Sequence, residues 1–275
     1  MTNLAAAPDP RITITVDVTN PGQFFACCGL LELADRLWPR AEVAGWFSAP
    51  RYERSRFCIS AGISISTSEI VTAALNCKRT AVDPYRPITD ASGKPVKDAK
   101  KTMPVLLGEP LSLRLNWWLD EPAGRQTELK MWGAHQTSSG LINDMAKAVN
   151  PSTINDSTAL GSPVGMTGRI GLDTRSSWNT LDEGFSPNDQ KLPVDTYPAT
   201  ELLAAIGLET FRPAANGDVY VYATWSSPLP VVVARTVASG RVALQGIARY
   251  GFQIASRGKF KFLTEASLLE RSGNG

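Results

Sequence analysis

The residues from Asn20 to Pro39, with the sequence NPGQFFACCGLLELADRLWP, decide how the rest of the chain is interpreted. Asn20 is a favourable N-cap, and the proline after it suits the first helical position, where no N–H is required. Apolar residues then recur at helical spacing until Pro39 ends the pattern. The stretch predicts a buried helix. Gly29 lies near its middle, where glycine costs about 1 kcal/mol relative to alanine, and this predicts close packing against another backbone.

A similar segment, Tyr197–Leu208, occurs later in the chain. Aligning Ala26–Leu30 with Ala204–Leu208 matches the centres of the two segments, and a proline lies near each start once a one-residue gap is allowed. A strand-like segment follows each of them, near residues 46–60 and near 219–225. The pattern indicates a duplicated helix-then-strand unit around one sheet. The alternative is two unrelated amphipathic helices that share common residue types.

The composition is typical of a folded soluble protein. The chain has 275 residues, of which 43% are hydrophobic and 20% charged, enough for one large or two small domains. Its net charge of +2 gives no overall basic character. No Cys-x-x-Cys pair occurs, so the cysteines are interpreted as buried free thiols of a cytoplasmic protein and not as metal ligands. They are Cys27, Cys28, Cys58 and Cys77.

No targeting or membrane segment is expected. The first ten residues lack the basic start and apolar core of a signal peptide. No apolar run approaches the roughly 20 residues of a membrane span. Residues 1–10 are predicted to be a flexible tail and residues 11–275 a single α+β domain, with room for an internal subdivision near residues 125–190.

The predicted fold is a mainly antiparallel sheet with the helices near Asn20 and Thr200 packed on one face. Ferredoxin-like elements would account for both strand–helix–strand segments. Residues 78–101 carry seven basic and three acidic residues and are predicted to form a long mobile loop. Short helices are predicted near 69–75 and 141–149. The predicted strands are residues 11–18, a strand pair or one bent strand within 46–65, 111–119, 169–173, 219–225, 231–233 and 257–262.

The sequence lacks the residue patterns of common enzymes. His135 is the only histidine, which excludes metal phosphohydrolases that need several, and no Gly-x-Ser-x-Gly motif accompanies it. The glycine-rich segment Gly165–Gly171 lacks the lysine of a phosphate-binding loop and the spacing of a dinucleotide fingerprint. The acidic residues within 173–209 are interpreted as solvated helix caps in preference to metal ligands. We therefore predict no catalytic residue, no metal and no cofactor.

Binding of nucleic acid is the function that the charge pattern favours. No carboxylate occurs between Asp218 and Glu265. Basic and aromatic residues alternate in this span, which suits both phosphate neutralisation and base stacking. The alternative is a solvated basic face, with Phe260 and Phe262 turned into the core. The six basic residues predicted to bind phosphates are Arg235, Arg241, Arg249, Arg257, Lys259 and Lys261.

Two further groups are candidates for contact with nucleic acid. The first belongs to the predicted mobile loop and would become ordered on contact; its members are Lys94, Lys97, Lys100 and Lys101. The second consists of Lys130, Trp132 and Gln136, with Trp132 stacking on a base and Gln136 forming hydrogen bonds to one. Burial of Trp132 is the alternative.

Three segments together resemble a family of CRISPR-associated proteins from type I-U systems, also called type I-G. They are residues 20–34, Arg175–Pro187 (RSSWNTLDEGFSP) and Tyr197–Pro213. The family is a small, large-subunit-like component of the Cascade effector complex. The resemblance implies a non-enzymatic subunit of an RNA-guided surveillance complex, whose guide RNA reads sequence by pairing while a separate helicase–nuclease cuts.

The resemblance leaves the position of the chain in such a complex open. At 275 residues the chain is short for a large subunit with a helical extension, so either contact with the flanking motif of the DNA or another position, such as a backbone or capping subunit, is left open. The implied partners are other Cascade subunits, guide RNA or target DNA, and the recruited helicase–nuclease. The competing hypothesis is a protein–protein scaffold in which the acidic surface of residues 173–209 docks a basic neighbour.

Overall fold

A computed structural model describes residues 8–49, 54–90, 92–96, 99–133, 136–176, 193–242, 245–257 and 260–269 of the chain. It confirms an α+β fold, and every strand pairing within these ranges is antiparallel. The helices are α1 (Pro21–Leu37), α2 (Thr67–Asn76), α3 (Ser138–Ala148), α4 (Pro198–Thr210) and α5 (Val231–Ala238). The strands are β1 (Ile12–Asp17), β2 (Ala44–Phe47), β3 (Arg54–Ser60), β4 (Arg79–Ala81), β5 (Val105–Leu107), β6 (Leu113–Leu115), β7 (Leu119–Asp120), β8 (Arg125–Gln126), β9 (Val164–Met166), β10 (Val194–Thr196), β11 (Ala214–Asn216), β12 (Val219–Trp225), β13 (Leu229–Pro230), β14 (Ile247–Arg257), β15 (Phe260–Leu263) and β16 (Ser267–Leu269).

Helices α1 and α4 form the centre of the molecule, as their composition predicts. The side chain of Asn20 caps α1 by accepting a hydrogen bond from the N–H of Gln23 at 3.3 Å. All residues from 21 to 34 of α1 and from 198 to 208 of α4 are buried. A helix that is buried on every side needs apolar residues all round, which explains why neither segment has a polar face.

The close packing predicted for Gly29 is confirmed. A Cβ atom on Gly29 would lie 2.9 Å from the carbonyl carbon of Leu203 and closer still to its oxygen. A Cβ atom on Gly207 would lie 3.0 Å from the carbonyl carbon of Phe25 and overlap its oxygen in the same way. In the alignment of Ala26–Leu30 with Ala204–Leu208, Phe25 is the residue equivalent to Leu203. The same contact is therefore made twice, as across a local two-fold axis.

The surroundings of the two helices repeat as well. Helix α1 is followed by the hairpin β2–β3 and then α2, and α4 is followed by the hairpin β11–β12 and then α5. In each unit a third strand pairs with the second hairpin strand. In the first unit this strand is β1, which precedes α1; in the second it is β14, which follows α5. The repeat is thus one of spatial arrangement, with a different chain order for the third strand.

The two units are joined by side-chain and strand contacts. The ring of Phe24 in α1 stacks on Tyr222 in β12 with 4.2 Å between centroids. The hydroxyl of Tyr222 donates to the carbonyl of Val18 at 2.5 Å, and the indole Nε1 of Trp225 donates to the carbonyl of Gly45 at 2.6 Å. Strand β13 of the second unit also extends the first sheet, which has the order β1-β3-β2-β13. The buried apolar side chains of both units accordingly form one cluster.

Two predicted strands are wrong, and a third is divided between two strands. Residues 231–233 begin helix α5, in which Val231 is buried while Val232 and Val233 face outward. Residues 169–173 lie in no strand, because the N–H groups of 171, 172 and 173 donate to the carboxylate of Glu201. Arg257 ends β14 and residues 260–262 begin β15, so the described residues of the third segment lie in two paired strands and not in one. At residues 231–233 and 169–173, tertiary contacts outweigh local strand preference.

The segment between α2 and α4 adds smaller sheets, with the order β4-β5-β6 in one and the pairs β7–β8 and β9–β10 in two others. The predicted basic loop lies here and has some regular structure. Its start belongs to β4, an isolated bridge joins Thr89 to Pro95, and a 3₁₀ turn spans Ala99–Thr102. Thr102 is buried, and its carbonyl accepts a hydrogen bond from Nε1 of Trp118 at 2.8 Å. The mobility of the loop stays a prediction.

Candidate nucleic-acid interface

Two basic residues of the carboxylate-free span are exposed on one side of the second sheet, which has the order β11-β12-β14-β15 with β16 also paired to β14. Arg249 in β14 lies opposite Ala223 in β12, so both side chains are on the same face. Val221 shares that face, and a Cβ atom on Gly240 would lie 2.7 Å from its Cγ1. Arg241 follows Gly240 directly, which brings it to the side of the sheet that carries Arg249. Both arginines are exposed, and within the described part of the chain neither forms an ion pair.

Arg235 does not belong to this surface. Its guanidinium forms an ion pair with the fully buried carboxylate of Glu32 in α1, with 2.7 Å between Nη2 and Oε2. Glu32 also accepts from the hydroxyl of Thr210 at 2.9 Å and pairs with Arg36 at 2.7 Å. The phosphate-binding role predicted for Arg235 is therefore corrected: α5 turns this side chain toward Glu32, where it offsets a charge that would be costly to leave unpaired.

Of the three other residues predicted to bind phosphates, one forms a surface ion pair and two have side chains outside the described part of the chain. Nζ of Lys261 lies 2.7 Å from Oε2 of Glu128, and both groups are partly exposed. Such a surface pair contributes little to stability, so a phosphate can compete for the lysine. Lys259 lies outside the described residues, as does the side chain of Arg257. Of the six predicted cations, Arg241 and Arg249 are thus exposed without an ion pair to any described residue, Lys261 forms a surface ion pair, and the roles of Arg257 and Lys259 stay predictions.

Trp132 is buried, as the alternative interpretation had it. Its ring makes edge-to-face contacts with Trp117 and Trp118, with centroid distances of 5.9 and 5.3 Å. Base stacking by Trp132 is therefore excluded in this conformation. Lys130 is half-buried, with Nζ 5.8 Å from the Trp132 ring centroid, and Gln136 is half-buried.

The predicted loop cations are only partly defined. Lys94 and Lys100 are exposed, and Lys101 is half-buried. Lys97 lies outside the described residues. The binding role of the loop stays a prediction.

Of the four described carboxylates in the acidic segment of the scaffold hypothesis, three are used within the fold and one, Asp195, is exposed. Asp173 and Glu201 are fully buried. Glu209 has 12% of its side chain exposed; it accepts from the N–H groups of residues 116 and 117 and pairs with Arg212 at 2.7 Å. These carboxylates organise the fold and cannot meet a basic neighbour. Asp182, Glu183 and Asp189 lie outside the described residues.

Glu201 and Asp173 form a buried carboxylate pair between the starts of α1 and α4. The side-chain amide of Asn20 donates to Asp173 at 2.7 Å, and Arg175 pairs with Asp173 at 2.6 Å. Glu201 accepts the three backbone N–H groups of residues 171–173. Burial, and then the nearby charge of Asp173, raise the pKa of Glu201 to about 7 despite these hydrogen bonds. The pair joins residues 169–176 to both central helices.

An exposed aromatic residue that the sequence analysis passed over is Tyr85, with 79% of its surface accessible. The guanidinium carbon of Arg114 lies 4.0 Å from the centroid of its ring. The available signal was the sequence Pro84-Tyr85-Arg86-Pro87, an aromatic and a basic residue held between two prolines. A single tyrosine beside one arginine does not change the charge pattern of residues 78–101, so that pattern does not reveal it.

Among the described residues, no group of three or more histidine, cysteine, aspartate and glutamate side chains is placed to hold a metal ion. None of the helices in the described part of the chain is both long and apolar enough to cross a bilayer. Comparisons of this chain with protein-family models, with curated proteins and with solved structures found no match.

Proposed function

We propose that this chain is a non-catalytic, cytoplasmic, nucleic-acid-binding subunit of a type I CRISPR surveillance complex that acts in antiviral defence. It contacts guide RNA or target DNA beside other Cascade subunits, in a complex that recruits the helicase–nuclease. The resemblance of residues 20–34 and Tyr197–Pro213 to the type I-U family supports this role. The single observation that carries the binding role is the pair Arg241 and Arg249, exposed on one side of a sheet within a span that has no carboxylate.

The chemistry of this pair suits a phosphate backbone. A guanidinium presents several N–H donors in a plane that matches phosphate oxygens. Because no described carboxylate neutralises Arg241 or Arg249, phosphates would not have to displace an ion pair. Affinity that arises in this way decreases with added salt, because binding releases condensed counterions.

The test is co-purification of the tagged chain expressed with its neighbouring genes and a repeat array. The expected result is RNA of one uniform length in the eluate. The variant Arg241→Glu/Arg249→Glu should lose most of this RNA, and in direct titrations its salt slope should be smaller by about 2. The control Arg11→Glu/Arg40→Glu makes the same charge change at two other exposed arginines. An RNA-free chain that assembles with no partner would overturn the proposal.

A scaffold role without nucleic-acid contact is the second candidate. The observation in its favour is that α5 turns two large apolar side chains outward, Val232 with 70% and Val233 with 44% of their surface exposed. Exposed apolar neighbours of this kind are typical of surfaces that bind another protein. Under this hypothesis Val232→Asp would prevent assembly, whereas Arg241→Glu/Arg249→Glu would leave the RNA content of the complex unchanged.

A further inference from the structure

Tyr85 is held in one orientation although it is exposed. Its backbone N–H donates to Oε2 of the buried Glu121 at 3.1 Å. Prolines precede it and follow the next residue, which restricts the backbone on both sides. Arg86 donates from Nη1 to the carbonyl of Pro122 at 3.2 Å, so the segment is anchored to residues 121–122 at two successive positions.

One face of the Tyr85 ring is covered by a guanidinium that is itself fixed. Arg114 pairs with Glu121 at 2.8 Å and donates from Nη2 to the carbonyl of Asp83 at 3.1 Å. Burial opposes the charge of Glu121, but hydrogen bonds from Asn116, from the N–H of Tyr85 and from Arg114 lower its pKa below the ordinary value. The carboxylate stays charged and keeps Arg114 beneath the ring. With 79% of the residue accessible, the other face of the ring is open to solvent.

The charges around the ring are arranged so that one cation remains available. Asp120 pairs with Arg125, and Glu121 is used by Arg114. Arg86 is exposed and forms no ion pair with any carboxylate in the described part of the chain. An open aromatic face beside an arginine without an ionic partner suits a flat ring joined to a phosphate.

We propose that Tyr85 is a stacking platform for one unpaired base of a single-stranded nucleic acid and that Arg86 binds the adjoining phosphate. The inference rests on the proposed function and assigns it a second contact, remote in sequence from Arg241 and Arg249. Every base has a flat face, so recognition is independent of sequence. A paired base has no free face, so a duplex does not bind here. Because the ring and its support are fixed beforehand, little freedom is lost on binding.

The experiment measures binding of a fluorescently labelled ten-nucleotide oligouridine to the purified full chain by anisotropy. Tyr85→Ala should weaken binding about tenfold, and Tyr85→Trp should restore it, because stacking needs only an aromatic face. Ile63→Ala is the matched control, since Ile63 is another exposed large apolar residue. Thermal melts check that each variant is folded. A duplex of the same length should bind the wild type and Tyr85→Ala equally.

Photocrosslinking gives a second readout. An oligonucleotide with 5-bromouridine should crosslink to the tryptic peptide of residues 80–97, because trypsin does not cut before Pro87 or Pro95. Tyr85 is the only aromatic residue in that peptide. If Tyr85→Ala binds and crosslinks like the wild type while Arg241→Glu/Arg249→Glu loses nucleic acid, the stacking site is overturned and the proposed function stands. If Tyr85→Ala instead impairs assembly with protein subunits and leaves oligouridine binding intact, the platform serves a protein partner and the inference is wrong.

Discussion

The close backbone contact between α1 and α4 at Gly29 gives the first testable prediction. In Gly29→Ala, the added methyl group would lie 2.9 Å from the carbonyl carbon of Leu203 and nearer still to its oxygen. Carbon atoms in contact prefer about 3.5–4.0 Å, so α1 and α4 must separate by about 1 Å. The obstacle is a main-chain carbonyl of a buried helix, which cannot turn aside as a side chain could.

The expected loss is large because the whole helix pair is affected. Overpacking that side chains can absorb costs about 1–3 kcal/mol, and a gap of up to about 1 Å forfeits up to about half of the dispersion energy of each contact that it opens. Alanine returns about 1 kcal/mol through its higher helix propensity. The upper end of the overpacking range less the gain in helix propensity gives a loss of about 2 kcal/mol in the free energy of unfolding for Gly29→Ala, and the contacts opened along the helix pair add to this loss. Gly207→Ala should cost about the same, because its contact with Phe25 is equivalent.

Urea denaturation followed by circular dichroism measures these changes. Gly133→Ala is the control, because a Cβ atom there would meet no atom within 4 Å; it should change stability by less than about 0.5 kcal/mol. Once one methyl group has separated the helices, the second meets less resistance. The double variant Gly29→Ala/Gly207→Ala should therefore lose less than the sum of the two, with a coupling of at least about 1 kcal/mol. A loss below about 1 kcal/mol in Gly29→Ala, or strict additivity, would refute the packing argument.

Three further predictions concern buried polar groups. The pKa of Glu201 is raised from 4.5 to about 7, so its contribution to stability is complete below pH 4.5 and lost as the pH rises to 7; the wild type should lose about 3 kcal/mol relative to Glu201→Gln over that window, measured by urea titration at each pH. Arg235→Met leaves Glu32 with fewer partners and should cost about 2–4 kcal/mol, part of which Glu32→Gln in the same chain restores; equal losses in single and double variants would contradict this. Tyr222→Phe removes the hydrogen bond to Val18 and should cost about 1–3 kcal/mol by the same assay, whereas an unchanged midpoint would show that the carbonyl finds another donor.

The central helices could be predicted because local and tertiary requirements agree there. Asn20 and the following proline are useful only at a helix start, and a glycine such as Gly29 is accepted only where another backbone needs the space. The alignment of the two helices followed from the same residues. The third strand of the second unit could not be inferred, since no local pattern says that β14 takes the place that β1 has in the first unit.

The candidate site was predicted less well, because charge patterns do not specify partners. Arg235 lies in the same run as Arg241 and Arg249, yet its partner Glu32 is distant in the chain. A span without carboxylates shows only that its cations have no acidic neighbours in sequence. A carboxylate from elsewhere in the chain can still pair with one of them in the folded structure. Residues 231–233 were assigned to a strand for a related reason: three consecutive valines favour a strand locally, but two of them face solvent on a helix.

The duplicated arrangement also explains where the exposed cations lie. The buried Glu32 belongs to the first unit, and Arg235 of α5, which offsets its charge, belongs to the second. Their ion pair therefore joins the two units. Arg241 and Arg249 come after this helix, on the side of β14 that the central helices leave uncovered. In the first unit the exposed arginines Arg54 and Arg56 lie in β3, whereas in the second unit Arg249 lies in β14, so the two units carry exposed cations on strands that are not equivalent.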